Sequence, residues 1–274
     1  MRTFLCLMVF LSTSSFAGFE KLSAQNLNFE YSAPYGKGTI EKVGLGYSLK
    51  AAESPYEVSI ERTHKAFEIT SDFLDFSWMN PYKVFYNMEK FDTQKTSFSI
   101  GGSSHYIESE QMLMVPEGRG KYLAQKLLAK CEGKASGEFK IRVMEDCRTK
   151  LDASIKRVEV PADFILYKIL YELPQIPGEF DIPGDNFILS SRDGKFNMQL
   201  YIKYYVYAGL RAQGHFQYED NHETLAIKVN QIKFGFFNVT GFVMGRLQEV
   251  IKNPDIKIDP PWIRINIGKP NEDR

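Results

Sequence analysis

The stretch LAIKVNQIKFGF, residues 225–236, decides the fold class of this chain. Its apolar residues recur at every second position, which is the spacing of a β-strand with one apolar face. They hold odd positions as far as Val229 and even positions from Ile232 onward. Because a strand cannot move its apolar face to the other parity without an extra residue, the stretch predicts a β-bulge near Asn230-Gln231.

Strand signals of the same kind surround this stretch. Asp193-Gly194 is a dipeptide favoured in two-residue hairpins, and a polar turn is predicted at 219–221. Neighbouring strands joined by such short turns are antiparallel. The chain is therefore predicted to be mainly β, with long, curved antiparallel sheets built from meander hairpins. The predicted strands cover residues 74–78, 84–88, 97–100, 105–113, 186–192, 195–207, 210–218 and 223–237.

Helical spacing of apolar residues predicts two or three short amphipathic helices. One covers Gly120–Lys130 and another covers Gly241–Lys252, where Asn253-Pro254 ends it. Phe164–Tyr171 is almost continuously apolar, so both a helix and a buried strand fit it. The first two helices either seal an edge or end of the sheet or close one end of a ligand cavity.

Composition excludes several classes of protein. The chain has 34 basic and 34 acidic side chains, so it lacks the net positive charge that a nucleic-acid-binding protein needs. An aromatic content of 14% is too high for a disordered chain, and three cysteines in 274 residues are too few for a disulfide scaffold.

The N-terminus has the features of a secretory signal peptide, residues 1–17. Arg2 precedes an apolar run of about ten residues, and small residues at Ser15 and Ala17 predict cleavage after Ala17. We expect a periplasmic or secreted protein, most simply of a Gram-negative envelope. The mature chain, 18–274, is expected to be a single elongated β-rich domain or two similar halves that divide near 161–184.

Export places the two remaining cysteines in an oxidising compartment. Cys131 and Cys147 are separated by 16 positions and would form one disulfide. A zinc site is the alternative, but no histidine lies near either cysteine and two thiols alone make a poor zinc site.

No motif for catalysis, a cofactor or a metal is found, so a non-enzymatic protein is expected. The four histidines are scattered, and the sequence has no nucleophile elbow, phosphate-binding loop or zinc-protease motif. His215 and His222 flank the turn at 219–221 and could face each other across the hairpin. Such a pair is more often structural than metal-binding.

Aromatic residues are expected on both faces of two strands. Tyr201, Tyr204, Tyr205 and Tyr207 form one group, and Phe234, Phe236 and Phe237 form another. A sheet with one wet face does not need apolar groups on both, so something should cover the second face. The other half of the chain, a partner protein and a lipid are the candidates.

The C-terminal run Ile227–Ile267 contains KFGFFNVTG at 233–241, an amphipathic helix, and IKIDPPWIRINI at 256–267. It resembles the end of bacterial periplasmic members of the tubular lipid-binding (TULIP, BPI-like) superfamily. The resemblance implies a curved antiparallel sheet wrapped around a helix, with acyl chains in the channel between them. The residues expected to line such a groove are Leu123, Leu127, Phe234, Phe236, Phe242, Leu247 and Val250.

Two functions are therefore expected. The first is an exported protein that binds a lipid or other hydrophobic ligand in a curved β-groove, with peripheral rather than integral membrane association. The alternative is an interaction or structural protein of the cell envelope that docks a partner protein through an aromatic β-surface. Neither needs a cofactor or nucleic acid.

Overall fold

The computed structural model describes residues 21–45, 48–62, 66–71, 74–79, 88–102, 104–118, 120–136, 139–159, 183–204, 206–251 and 253–267. The chain forms two compact units, Met1–Cys147 and Arg148–Arg274. The signal peptide, the segment Phe164–Tyr171 and nearly all of the predicted dividing segment 161–184 lie outside the described residues. They remain predictions.

The first unit contains an antiparallel sheet in the order β8-β7-β6-β1-β2-β3-β4-β5. Helix α1 (Phe139–Thr149) follows the last of these strands in the chain. A core of Phe29, Tyr31 and Met88 packs on one face of the sheet. The strands are β1 (Lys21–Ser32), β2 (Tyr35–Leu45), β3 (Ser48–Arg62), β4 (Ala66–Ser71), β5 (Leu74–Met79), β6 (Met88–Gly101), β7 (Ser104–Pro116) and β8 (Tyr122–Glu132).

The second unit is built in the same way, with the antiparallel order β9-β10-β11-β12-β13-β16-β15 and β14 paired to β13. Helix α2 (Thr240–Val250) packs on this sheet. The strands are β9 (Lys150–Glu159), β10 (Pro183–Arg192), β11 (Lys195–Tyr204), β12 (Val206–Glu219), β13 (Thr224–Phe234), β14 (Phe237–Asn238), β15 (Ile256–Asp259) and β16 (Trp262–Asn266). The predicted mainly β, antiparallel meander is confirmed in both units.

The predicted Asp193-Gly194 hairpin turn is confirmed. Both residues have positive φ angles, 49° and 77°, as a type I′ turn requires. The next strand is shorter than predicted, because β11 ends at Tyr204 and β12 begins at Val206. Tyr207 therefore belongs to β12, where it pairs with Lys203, and the four tyrosines do not share one strand.

The predicted bulge is confirmed at Asn230. Gln231 pairs with Gln213 and Val229 pairs with Gly214, so β13 has one residue more than β12 between these pairs. Asn230 is exposed, whereas Val229 and Ile232 on either side of it are buried in the same core. The bulge thus keeps both halves of β13 turned toward that core.

The helix predicted at Gly120–Lys130 is wrong, since these residues form most of strand β8. The misleading pattern was Leu123, Leu127 and Cys131, whose spacing of four places them on one face of a helix and equally on one face of a strand. Leu128 separates the two cases. It belonged to the expected helical stripe, but in the strand it points to the other face and is 47% exposed.

The second predicted helix is confirmed as α2, which begins one residue earlier and ends two residues earlier than expected. Its most buried residue is Met244, which the predicted stripe did not include, whereas Val250 is exposed. Helix α1 was not predicted. Its buried residues Val143, Met144 and Cys147 have helical spacing. Five charged side chains among the same eleven residues make this apolar pattern too weak to predict a helix.

Gly214, opposite the bulge, should tolerate no side chain. A Cβ there would lie 2.0 Å from the carbonyl oxygen of Lys228 and 2.7 Å from the ring of Phe196. We expect Gly214→Ala to lower the free energy of unfolding by about 1–3 kcal/mol, as overpacking does. Urea denaturation followed by circular dichroism measures this.

The matched control is Gly245→Ala in the middle of α2, where a Cβ would meet nothing within 4 Å. Because alanine has a higher helix propensity than glycine, this substitution should raise the free energy of unfolding by about 0.5–1 kcal/mol. Equal effects of the two substitutions would contradict the close strand approach at the bulge.

Candidate functional site

Two adjacent cross-links attach helix α1 to the hairpin of β7 and β8. Cys131 on β8 and Cys147 on α1 form the predicted disulfide, with their Cα atoms 4.6 Å apart. His105 on β7 pairs directly with Cys131, and its Nε2 lies 2.9 Å from Oδ2 of Asp146, the neighbour of Cys147. His105 and Asp146 are both buried, so the covalent and the hydrogen-bonded link lie side by side in the interior.

The hydrogen bonds of His105 determine its tautomer. The backbone N–H of Gly101 donates to Nδ1 at 2.8 Å, so Nδ1 carries no proton and Nε2 donates to Asp146. The other carboxylate oxygen of Asp146 accepts from the backbone N–H of Ala135 at 2.9 Å. Burial lowers the pKa of His105, against the opposing effect of the hydrogen bond to Asp146. The histidine is therefore held in its neutral form.

This pair is a structural element. Both ring nitrogens of His105 are already bonded, so neither is left to take a proton from a substrate. Gly133 packs so closely that a Cβ there would lie 2.0 Å from Oδ1 of Asp146. In the described part of the chain, no group of three or more potential ligands could hold a metal ion.

Buried hydroxyl groups form a second polar cluster in the same unit. Thr96 lies within hydrogen-bond distance of Thr93 and 2.7 Å from the hydroxyl of Ser109, which donates to the carbonyl of Gln111. These hydroxyls bond to one another and to the backbone carbonyls of Gln94 and Gln111. The cluster satisfies itself, as buried polar groups must, and has none of the geometry of an activated nucleophile.

The second unit carries the apolar face, defined as the side of its sheet on which α2 packs. Leu210, Val229 and Ile232 are buried there under Val243 and Met244 of the helix. Strand alternation and the observed pairing extend the same face over β9 to β11. Its other described apolar side chains include Leu151, Ala153, Ile155, Phe187, Leu189, Phe196, Met198, Leu200, Ala212, Phe216, Leu225, Ile227, Phe234, Ile256, Ile258, Ile263 and Ile265.

Helix α2 is too small to cover the whole apolar face. Seven strands at a spacing of about 4.8 Å span about 29 Å, whereas an eleven-residue helix is about 16 Å long and about 10 Å wide. The helix contacts β13 and β15. The apolar side chains on β10 and β11 are only partly buried, namely Phe187, Leu189, Phe196, Met198 and Leu200.

The residues expected to line a groove are only partly brought together. Phe234 on β13 packs at the margin of the core under α2, and Phe242 and Leu247 pack there from the helix itself. Val250 at the end of the helix is 43% exposed, and Phe236 is fully exposed in a turn, so it lines nothing in the described structure. Leu123 and Leu127 lie on β8 in the other unit. The residues on β10 and β11 were missed, although the alternation of 187–200 already predicted strands there.

The opposite face of the second sheet is polar around a single tryptophan. Trp262 lies 5.2 Å from the guanidinium of Arg264 and 5.6 Å from the ammonium of Lys228. Arg264 also donates to Glu219, and this hydrogen bond lowers the pKa of the carboxyl group. Of the tyrosines expected to make this surface aromatic, Tyr205 and the side chains of Tyr204 and Tyr207 lie outside the described residues, so that expectation stays a prediction.

The two histidines expected to face each other do not meet. His215 packs edge-on against Trp262 with ring centroids 5.5 Å apart, whereas His222 lies in the turn and contacts the ring of Tyr218 at 5.3 Å. His215 pairs with Lys228 instead. A shallow depression of about 500 Å³ adjoins His215 and is lined both by polar residues, such as Asn197 and Gln213, and by Phe196.

Comparison with family models, curated proteins and solved structures finds no match to this chain. Within the described ranges, no helix has the length and apolar character needed to cross a bilayer. The candidate site therefore rests on the geometry of the apolar face.

The neutral His105 predicts a pH dependence of stability. Because its pKa is lower in the folded state than the ordinary value of 6.5, protons bind preferentially to the unfolded chain. The contribution of His105 to the free energy of unfolding should be fully present above pH 6.5. It should be lost as the pH falls from 6.5 toward the lowered pKa of the folded state. Urea unfolding midpoints between pH 7.5 and pH 5 measure this.

The matched variant is His105→Gln, whose amide offers an acceptor to Gly101 and a donor to Asp146 without titrating. It should be less stable but should lose the part of the pH dependence that begins at pH 6.5. The same slope in both proteins would show that His105 is not the group responsible.

Proposed function

We propose that this chain is an exported, non-enzymatic protein that binds a lipid or another hydrophobic molecule on the apolar face of its second unit. The observation that carries the proposal is the width of this face compared with the helix that packs on it. Apolar surface that the described part of the chain leaves partly uncovered is typical of ligand grooves and interaction surfaces.

The chemistry of the partly covered region favours an extended aliphatic ligand. Leu189, Met198 and Leu200 lie next to Phe187 and Phe196 on two neighbouring strands. Such a strip offers dispersion contacts to an acyl chain and has few polar groups that would orient a sugar or a nucleotide. Met198, at its centre, is unbranched and can adapt to ligands of different shape.

Helix α2 is attached so that it can form one wall of this site. The Thr240 hydroxyl accepts from the backbone N–H of Ile232 at 2.7 Å, and Asn238 accepts from the backbone N–H of Thr240 at 3.1 Å. These bonds hold the start of the helix against β13. The resemblance of Ile227–Ile267 to tubular lipid-binding proteins supports the same arrangement of a helix on a curved sheet.

Filling the strip should block binding. We expect Met198→Trp to weaken the binding of a fluorescent fatty acid by at least about tenfold, or about 1.4 kcal/mol, because the larger side chain occupies the site. Titration of the purified protein with the probe measures the affinity, and the urea midpoint checks that the variant is folded.

The matched control is Asn197→Trp, which adds the same side chain to an exposed position on the opposite face of β11. It should bind the probe like the parent protein. If the parent takes up no probe and lipid extraction from protein purified from its host recovers nothing, the proposal is wrong. Equal loss of affinity in both variants would place the site elsewhere.

A further inference from the structure

The two ends of the sheet in the second unit differ in chemistry. The polar end carries the turns Asp193-Gly194 and Asp220–Glu223, whose acidic residues Asp193, Asp220 and Glu223 are exposed. The aromatic end carries the turn from Gly235 to Phe237, which joins β13 to β14. It lies opposite the turn at Asp220–Glu223, since Phe234 pairs with Leu210 at one end of the β12–β13 ladder and Thr224 pairs with Glu219 at the other.

The turn at the aromatic end exposes two adjacent phenylalanines. Phe236 is 100% exposed and Phe237 is 63% exposed. The turn itself is well held, because the backbone N–H of Gly235 donates to the carbonyl of Gly209 and Phe237 pairs with Phe234. Two large apolar side chains are therefore presented to solvent on a defined turn.

Basic residues accompany this aromatic turn. Lys233 precedes Phe234 at the end of β13, where it is exposed. Arg211, also exposed, pairs with Lys233 on the neighbouring strand. No acidic residue occurs within 232–238. Aromatic side chains beside lysine and arginine are typical of protein segments at a lipid–water interface.

We infer that the aromatic end of the second unit docks on an anionic membrane surface, with Phe236 and Phe237 inserted among the lipids and Lys233 and Arg211 facing the head groups. A second copy of the chain fits this turn less well. Two phenylalanines can bury only about 300–500 Å² against a partner, below the roughly 1,000 Å² of a stable protein interface. Insertion into a bilayer requires no such area.

This inference extends the proposed function, because a protein that binds lipid must meet the membrane that supplies or receives it. Co-sedimentation with vesicles of phosphatidylglycerol and phosphatidylcholine tests it. We expect binding that weakens with salt, that is lower on phosphatidylcholine alone, and that falls roughly tenfold for each of Phe236→Ser and Phe237→Ser. Lys233→Glu should reduce binding roughly fivefold to tenfold on the anionic vesicles only.

Ile188→Ser is the matched control, since Ile188 is 47% exposed on β10 away from the aromatic turn. It should bind vesicles like the parent. The inference is overturned if the parent does not bind vesicles, if Phe236→Ser and Phe237→Ser bind unchanged, or if these variants only convert a dimer to a monomer in light scattering.

Uptake of the fluorescent fatty acid by the same variants separates this inference from the proposed function. All three aromatic-end variants should keep the parent affinity for the probe. Vesicle binding by a parent protein that takes up no probe would overturn the proposed function alone. Probe uptake without vesicle binding would overturn only the docking inference.

Discussion

The architecture of the second unit depends on one constraint, which is the period of two along a β-strand. Strand β13 is long enough to run across the core, yet its apolar residues change parity in the middle. Without the extra residue at Asn230, either Val229 or Ile232 would turn to the polar face. The bulge keeps both under α2, and Gly214 on the neighbouring strand permits the close approach that it requires.

Local chemistry with only one good solution was predictable from the sequence. The parity change required a bulge, the Asp193-Gly194 dipeptide required a tight turn, and two cysteines in a chain expected to be exported favoured one disulfide. Tertiary choices were not predictable in this way. A spacing of four residues fits one face of a helix and one face of a strand equally well, so β8 was assigned to a helix. Helix α1 has a weak apolar stripe and depends on its attachment to the hairpin.

The candidate site was predictable in kind but not in position. Phe234 on β13 and Leu247 on α2 were included because a helix on a sheet buries the facing sides of both. The strip on β10 and β11 was missed, because these side chains stay partly exposed only if the sheet is wider than the helix that packs on it. That width appears only when the strand order is known. Phe236 was expected in a strand and instead lies in a turn, where the same side chain serves a different surface.

The cysteines and histidines in the described part of the chain already have structural contacts. Cys131 and Cys147 are joined to each other, and both ring nitrogens of His105 are bonded. His215 and His222 pack against aromatic rings at separate places on the sheet. Two apolar features of the described structure remain in contact with solvent. They are the partly buried strip on β10 and β11 and the turn with Phe236 and Phe237. Both gain free energy from contact with apolar molecules, so binding is the function that these residues support best.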